Sequence, residues 1–261
     1  MLIDTHCHIH EPDYKLPLSE VLERAHAADV TKMICVGTTE ESSRQALQCA
    51  EQYNELFATV GVHPHDTKDG VAAIAELVQT DAKKLVAVGE IGLDYFYLNS
   101  PRETQMTAFE QQLQVAYEAD LPVVFHVRDS QSANRNTTVW RDFWPIVDNF
   151  SKLRGVLHSF TDSSTNIERG LARGFYVSVN GISTFTRDES QQAMFADIPL
   201  DRLLLETDAP FLTPRPFRGT VNEPCRVREV AKHQAMLRQC SLDEIARHTT
   251  RNAETLFDLQ S

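Results

Sequence analysis

Three things are scarce in this 261-residue chain: paired cysteines, surplus positive charge and long apolar runs. The five cysteines (Cys7, Cys35, Cys49, Cys225 and Cys240) are odd in number and widely spaced, with no Cys-x-x-Cys. They read as reduced thiols in a reducing compartment, mostly core filler, and not as a disulfide framework. The formal net charge is −12. A general polyanion-binding surface would be basic, so this balance argues against tight, non-specific nucleic-acid binding. It leaves room for a nuclease in which metal ions and a few arginines recognise phosphate locally. No apolar run approaches the roughly 18 residues of a membrane span, so no membrane association is expected. There is no basic n-region and no signal-peptide h-region at the start, and the expected location is cytoplasmic.

What the chain does have is alternation. Short β-like runs at Leu2–Thr5, Lys32–Gly37, Leu56–Val62, Leu85–Glu90, Leu121–His126, Gly155–His158, Phe175–Val179 and Arg202–Asp208 are separated by helical segments. Those helices are expected around Leu18–Ala28, Glu41–Tyr53, Val71–Gln79, Pro101–Ala119, Val139–Asn149, Asn166–Arg173, Glu189–Phe195, Glu223–Leu237 and Leu242–Leu256. Eight such units predict an α/β fold of the (β/α)8 TIM-barrel type, forming a single domain over residues 1–261. Continuously apolar strands fit a parallel sheet buried on both faces. An open doubly wound sheet is the alternative, but no Gly-x-Gly-x-x-Gly follows the first run. The polar stretch Arg128–Thr138 is the candidate long mobile loop.

The C-terminal ends of the strands carry ligand-type residues again and again. The first run ends in His6-Cys7-His8, and residues two apart on a strand face the same way. Two imidazoles can therefore enter one cavity, while Cys7 packs on the opposite side. His63, His65, Glu90, His126, His158 and Asp208 end later runs. In a barrel that rim holds the active site. Imidazoles and carboxylates together suit zinc, manganese or a similar divalent ion, with magnesium preferring more oxygen. So many ligands fit two ions bridged by one carboxylate better than a single closed site. Hydrolysis by an activated water is the reaction class that follows.

These stretches resemble the TatD-type metal-dependent deoxyribonucleases. The resemblance is carried by Asp4-Thr5-His6-Cys7-His8, Gly61-Val62-His63-Pro64, Gly89-Glu90-Ile91-Gly92-Leu93-Asp94-Tyr95 and Leu121 through Asp129. It continues through His158-Ser159-Phe160, Leu203 through Pro210, Arg218-Gly219 and Asn222-Glu223-Pro224, so it spans nearly the whole chain. It implies an amidohydrolase-like barrel with two divalent metal ions (Mg, Mn or Zn). His6, His8 and Asp208 would hold the first ion, Glu90 would bridge, and His126 and His158 would hold the second. Asp208 and Glu90 would be the catalytic carboxylates, with Asp208 orienting or deprotonating the attacking water. The implied substrate is a DNA phosphodiester, often cut 3′ to 5′. The chain departs from the family pattern after His158, where Ser159-Phe160-Thr161-Asp162 replaces a common Cys-Phe-Ser-Gly. A glycine is lost there and a negative charge gained.

Around the expected centre, His63, His65, Arg128 and Arg218 are candidate substrate-binding residues. The alternatives are a structural loop for the two histidines and an Arg128–Asp129 ion pair. Glu206, two residues before Asp208, is expected to support the metal histidines. Asp94 and Tyr95 are placed in the loop after Glu90, where support of the metal ligands and shaping of the substrate are the alternative roles. His10, His26, His233 and His248 read as ordinary histidines. A hydrolase of a small-molecule ester or amide, or of an aminoacyl ester on tRNA, would share the same metal chemistry. A metal-binding scaffold would instead have a closed site. No protein partner is evident, and a monomer is expected.

Overall fold

Each apolar run pairs with the next, and every pairing is parallel. The computed structural model describes residues 1–80, 82–130 and 138–259. Within them the order is β1 (Leu2–Cys7), α1 (Leu18–Ala27), β2 (Val30–Val36), α2 (Glu40–Gln52), β3 (Leu56–Val60), α3 (Ala72–Val78), β4 (Leu85–Asp94) and α4 (Arg102–Glu118). It continues with β5 (Val123–Arg128), α5 (Val139–Asp148), β6 (Gly155–Leu157), α6 (Ser164–Ala172), β7 (Tyr176–Val179), α7 (Ile182–Phe185), α8 (Glu189–Asp197), β8 (Leu203–Leu205), α9 (Val227–Arg238) and α10 (Leu242–Phe257).

The sheet rolls until its last strand meets its first. Thr5 Oγ1 donates to the Leu205 carbonyl at 3.0 Å. Beyond the end of β8, the Asp208 N–H donates to His6 O at 2.9 Å and the His8 N–H to Ala209 O at 2.7 Å. A buried carboxyl group, its pKa pushed up to about 8 by burial, strengthens this seam: Asp4 accepts from the Thr207 N–H at 2.8 Å and pairs with the Thr207 hydroxyl at 2.5 Å. The result is a nearly closed (β/α)8 barrel, the architecture the alternation predicts. No helix among the described residues is long and apolar enough to cross a membrane.

Two apolar layers follow from the period of two along each strand. Met33, Cys35, Ala58, Phe125, Val177 and Leu205 face the surrounding helices. Ile34, Phe57, Val124, Val156, Tyr176 and Leu204 form a second cluster, joined by Ala253, Leu256 and Phe257 of α10. On β5 and β6 the residue two beyond the second-cluster member is a histidine: Val124 leads to His126 and Val156 to His158. On β8, Leu204 leads to Glu206 and then Asp208. The apolar interior thus gives way to ligand-type side chains at the C-terminal rim. Cys7 lies with the outer, helix-facing layer, its thiol donating to Ile34 O at 3.4 Å.

Helix starts are set locally. Thr39 caps α2 by accepting from the Ser42 N–H, and Ser241 caps α10 by accepting from the Glu244 N–H. Asp129 accepts from the Val139 N–H at 3.1 Å, anchoring the first turn of α5.

Several elements differ from the sequence expectation. β4 runs to Asp94, so Asp94 is a strand-end residue and not a loop residue. The ladder of β8 stops at Leu205, because the polar residues beyond it turn to meet β1 and the rim. The short α7 falls between two expected elements, since four residues are too few to display a helical period. Of the expected Arg128–Thr138 loop, residues 131–137 lie outside the described residues.

Gly92 sits at a φ of +150°, opposite His126 in the β4–β5 ladder, and an added Cβ would lie 1.9 Å from the His126 carbonyl oxygen. Gly92→Ala is expected to lower stability by about 3 kcal/mol and to weaken metal retention. A chemical denaturation midpoint like that of the wild type would show that β4 and β5 separate here without cost.

Candidate metal centre

Seven side chains converge at the rim. β1 and the residue after it bring His6 and His8, β4 brings Glu90, β5 brings His126, and the segments following β3, β6 and β8 bring His63, His158 and Asp208. Glu90 lies at the centre. Its Oε2 is 3.3 Å from His6 Nε2, and its Oε1 is 2.6 Å from His126 Nδ1, 3.2 Å from His158 Nε2 and 3.6 Å from His63 Nε2. Asp208 Oδ1 lies 3.5 Å from His8 Nε2 and 3.6 Å from His6 Nε2. Asp208 holds a left-handed backbone (φ 56°), a conformation that Asp tolerates better than most residues.

The outward nitrogens decide what the inward ones can do. His8 Nδ1 donates to Val36 O at 2.9 Å, His126 Nε2 to Asp94 Oδ2 at 3.1 Å, and His158 Nδ1 to Glu206 Oε1 at 3.1 Å. A neutral imidazole carries one N–H, so once deprotonated to take a metal, His8 Nε2, His126 Nδ1 and His158 Nε2 turn their lone pairs inward. His8 Nε2 faces His6 Nε2 at only 3.1 Å. Each ion pair that Glu90 and Asp208 make among the described residues is to an imidazole. Converging ring nitrogens and carboxylates that pair, among the described residues, with histidines are the donor chemistry of a divalent ion. His6, His8 and Glu90, and separately Glu90 with His63 and His126, bring ligand atoms within 4.8 Å of one another.

His63 differs from the others. Its Nδ1 accepts the His65 N–H at 3.2 Å, which places its proton on Nε2. His63 therefore points a donor, not a lone pair, at His126 and Glu90. Burial, followed by the neighbouring His126, holds its pKa well below the usual imidazole value, so it stays neutral.

The charges elsewhere follow from burial set against partners. Burial opposes a charged His158, but Glu206 and Glu90 outweigh it and raise its pKa well above the ordinary value. Burial likewise opposes charge on His126 and His8, yet Asp94 and Glu90 raise the first and Asp208 the second. His6 moves down, through burial and the adjacent His158, whose ring stacks on it at 3.8 Å. Burial would lift the carboxyl of Glu90, but His158, His63 and His126 take it well below the carboxylate range. In Glu206 burial again loses, to His158, and the pKa falls to about 2.

Two supporting carboxylates back this centre. Glu206 stands where the sequence places it, also accepting from the Ser159 N–H at 2.8 Å and from Asn180 Nδ2 at 3.2 Å. Asp94 is the residue whose part the sequence understates. Its Oδ2 accepts from both His126 and His65, and its Oδ1 from the Phe96 and Tyr97 N–H groups. The four-residue spacing from Glu90 on one strand was the available signal. His65 thus joins the cluster through Asp94. Among the described residues Arg128 forms no ion pair with Asp129; its guanidinium lies over the rings of Phe96 (4.2 Å) and Tyr97 (4.9 Å). Arg218 lies over Phe185 at 3.9 Å and donates to Thr213 O. Those described contacts are outside the histidine cluster. The His10 side chain is buried, its Nε2 beside Ser42 Oγ at 3.1 Å.

Residues 3–258 match the profile of the family described as TatD related DNase. A Bacillus subtilis protein named an uncharacterized metal-dependent hydrolase, YabD, is 38% identical over 98% of this chain and 99% of its own. A protein of Erwinia amylovora named 3'-5' ssDNA/RNA exonuclease TatD is 37% identical over 92% of this chain and 93% of its own. Among solved structures, that of YJJV, a TatD homologue of Escherichia coli, superposes with a TM-score of 0.89 at 32% identity, covering 99% of this chain and 98% of that one.

Histidine ligands must lose their protons to take a metal. Because His158, His126 and His8 are held above the ordinary imidazole value, metal uptake should release protons near neutral pH and weaken as the pH falls. Calorimetry of manganese or zinc binding in buffers of different ionisation heat would read this directly. Binding without proton release between pH 6 and 7 (the span about the ordinary imidazole value) would contradict the charge pattern. Glu206→Gln should lower metal affinity about 10- to 100-fold, and an unchanged affinity would remove Glu206 from the support of His158.

Proposed function

Because this chain belongs to the TatD related DNase family and is a metal-dependent hydrolase, we propose that it is a 3′-to-5′ exonuclease of single-stranded DNA. The observation that carries this reading is Glu90, which faces two groups of inward ligand atoms at once. His6, His8 and Asp208 would hold one divalent ion, His126 and His158 a second, with Glu90 between them. Magnesium, manganese and zinc are the candidates, and the imidazole content favours manganese or zinc.

Bound ions of this kind lower the pKa of water and offset charge on phosphoryl oxygens. The residues of the chain do the rest. Asp208, with one oxygen turned to His6 and His8 and its side chain partly open, orients the attacking water and takes its proton. His63 donates from Nε2 to a phosphoryl or leaving oxygen, its proton fixed there by the His65 N–H. Asp94 and Glu206 hold His126 and His158 in one tautomer each, so neither ring must reorganise during the reaction. Arg128 and Arg218, both exposed, contact the phosphates of the strand.

The protein, stripped and reloaded with magnesium, manganese or zinc, should release mononucleotides from the 3′ end of a labelled single strand. Turnover of an ester or amide panel with no cleavage of DNA under any of these metals would overturn the proposal. Asp208→Asn should lower kcat by about 10²- to 10⁴-fold while the circular dichroism spectrum and Tm stay unchanged. His6→Ala should weaken one ion's binding more than the other's, and an equal loss of both would mean the ligands are divided differently.

A further inference from the structure

Two aromatic faces stand open on the rim, one beside each end of the histidine cluster. Phe211 is 60% exposed, and its ring lies 6.4 Å from that of His8. Tyr97 is 53% exposed, and its ring lies 5.2 Å from that of His65, which shares Asp94 with His126. Single exposed apolar residues are ordinary on a protein surface. Two large rings bracketing a candidate active site are a different matter, since each offers a flat face within reach of the reacting group.

Their electrical surroundings differ. Phe211 and Pro210 wall a cavity of about 630 Å³ that is also lined by His8, Glu11, Asp13 and Lys15. Carboxylates outnumber the cation there, and Glu11 is held in place by the Ser42 hydroxyl. Tyr97 instead lies beneath the exposed guanidinium of Arg128, which also covers Phe96.

We infer that Phe211 stacks the terminal base of a single strand inside this cavity, and that Tyr97 with Arg128 stacks and guides the strand behind it. The inference rests on the exonuclease reading above and adds to it the path of the strand across the rim. Every nucleotide that continues the chain carries a phosphate, which Glu11 and Asp13 repel. The base and sugar of a terminal nucleotide carry no charge and can enter. At the other end Arg128 attracts the following phosphates. The volume lies within the ordinary range for a small-ligand site and suits one nucleoside, in keeping with removal of one nucleotide at a time. Stacking tolerates any base. It supplies binding energy that a chain of net charge −12 cannot draw from a general basic track.

The test measures KM for a 3′-labelled single-stranded oligonucleotide, with an oligomer of stable abasic nucleotides as the base-free substrate. Phe211→Ala and Tyr97→Ala should each raise KM for the oligonucleotide roughly tenfold, with Tm and turnover of the abasic oligomer unchanged. Tryptophan at either position should restore the wild-type KM. With only the terminal nucleotide made abasic, the Phe211→Ala effect should vanish and that of Tyr97→Ala persist. If the wild type cuts the oligonucleotide and both alanine variants keep its KM, the stacking sites are wrong and the exonuclease reading stands. If the terminal abasic nucleotide abolishes the Tyr97→Ala effect instead, the path is reversed. If the wild type cuts neither substrate under magnesium, manganese or zinc, the exonuclease reading fails and takes this inference with it.

Discussion

Glu90 is a buried carboxylate with four imidazoles within 3.6 Å, and the rest of the rim is built to make that tolerable. An uncompensated carboxylate in an apolar interior costs several kcal/mol. No single strand could supply enough partners. β1, β4 and β5, with the segments following β3 and β6, each deliver one imidazole or carboxylate to the same point. This delivery requires a closed barrel, because His6 and Asp208 meet only where the end of the chain's last strand returns to the first. The Asp4–Thr207 pair and the hydrogen bond from Asp208 N–H to His6 O lie on that seam. Closure of the fold and assembly of the site are one event.

A second layer of polar groups turns a cluster of histidines into a ligand set. Val36 O, Asp94 and Glu206 each accept from one ring nitrogen and so expose the other. His63 obeys the same rule with the opposite result: a backbone N–H occupies its outer nitrogen and turns its proton inward. Identical residue types at similar depth therefore divide into lone-pair donors and a proton donor. The partner on the far nitrogen makes the division, and that partner comes from another strand or from a turn.

Beyond the histidines the rim is asymmetric in charge. Glu11 and Asp13 border one side, and Arg128, supported on Phe96 and Tyr97, borders the other. An acidic protein can handle a polyanion this way, with one well-placed cation and flat aromatic faces in place of a broad basic surface. The departure after His158, where Thr161 and Asp162 follow Phe160, adds to the acidic character of the chain.

Much of this was legible in the residues alone. The number and order of strands follow from short apolar runs alternating with amphipathic ones, because that periodicity is a local property. His6, His8, Glu90, His126, His158 and Asp208 could be picked out because each ends such a run, and strands of a barrel end on a common rim. Glu206 could be assigned a supporting part from its place two residues before Asp208. For Asp94 a supporting part and a substrate-shaping part stood side by side, and the choice between them waits on β5 lying beside β4 and bringing His126 to its carboxylate. The same holds for Arg128, whose partner is a pair of rings on β4's exit and not the adjacent Asp129. The sequence by itself determined which side chains reach the rim, through strand period and strand ends. The tertiary structure alone decided which nitrogen of each histidine faces inward, because hydrogen-bond partners across strands are set by packing and register and leave no mark in local sequence.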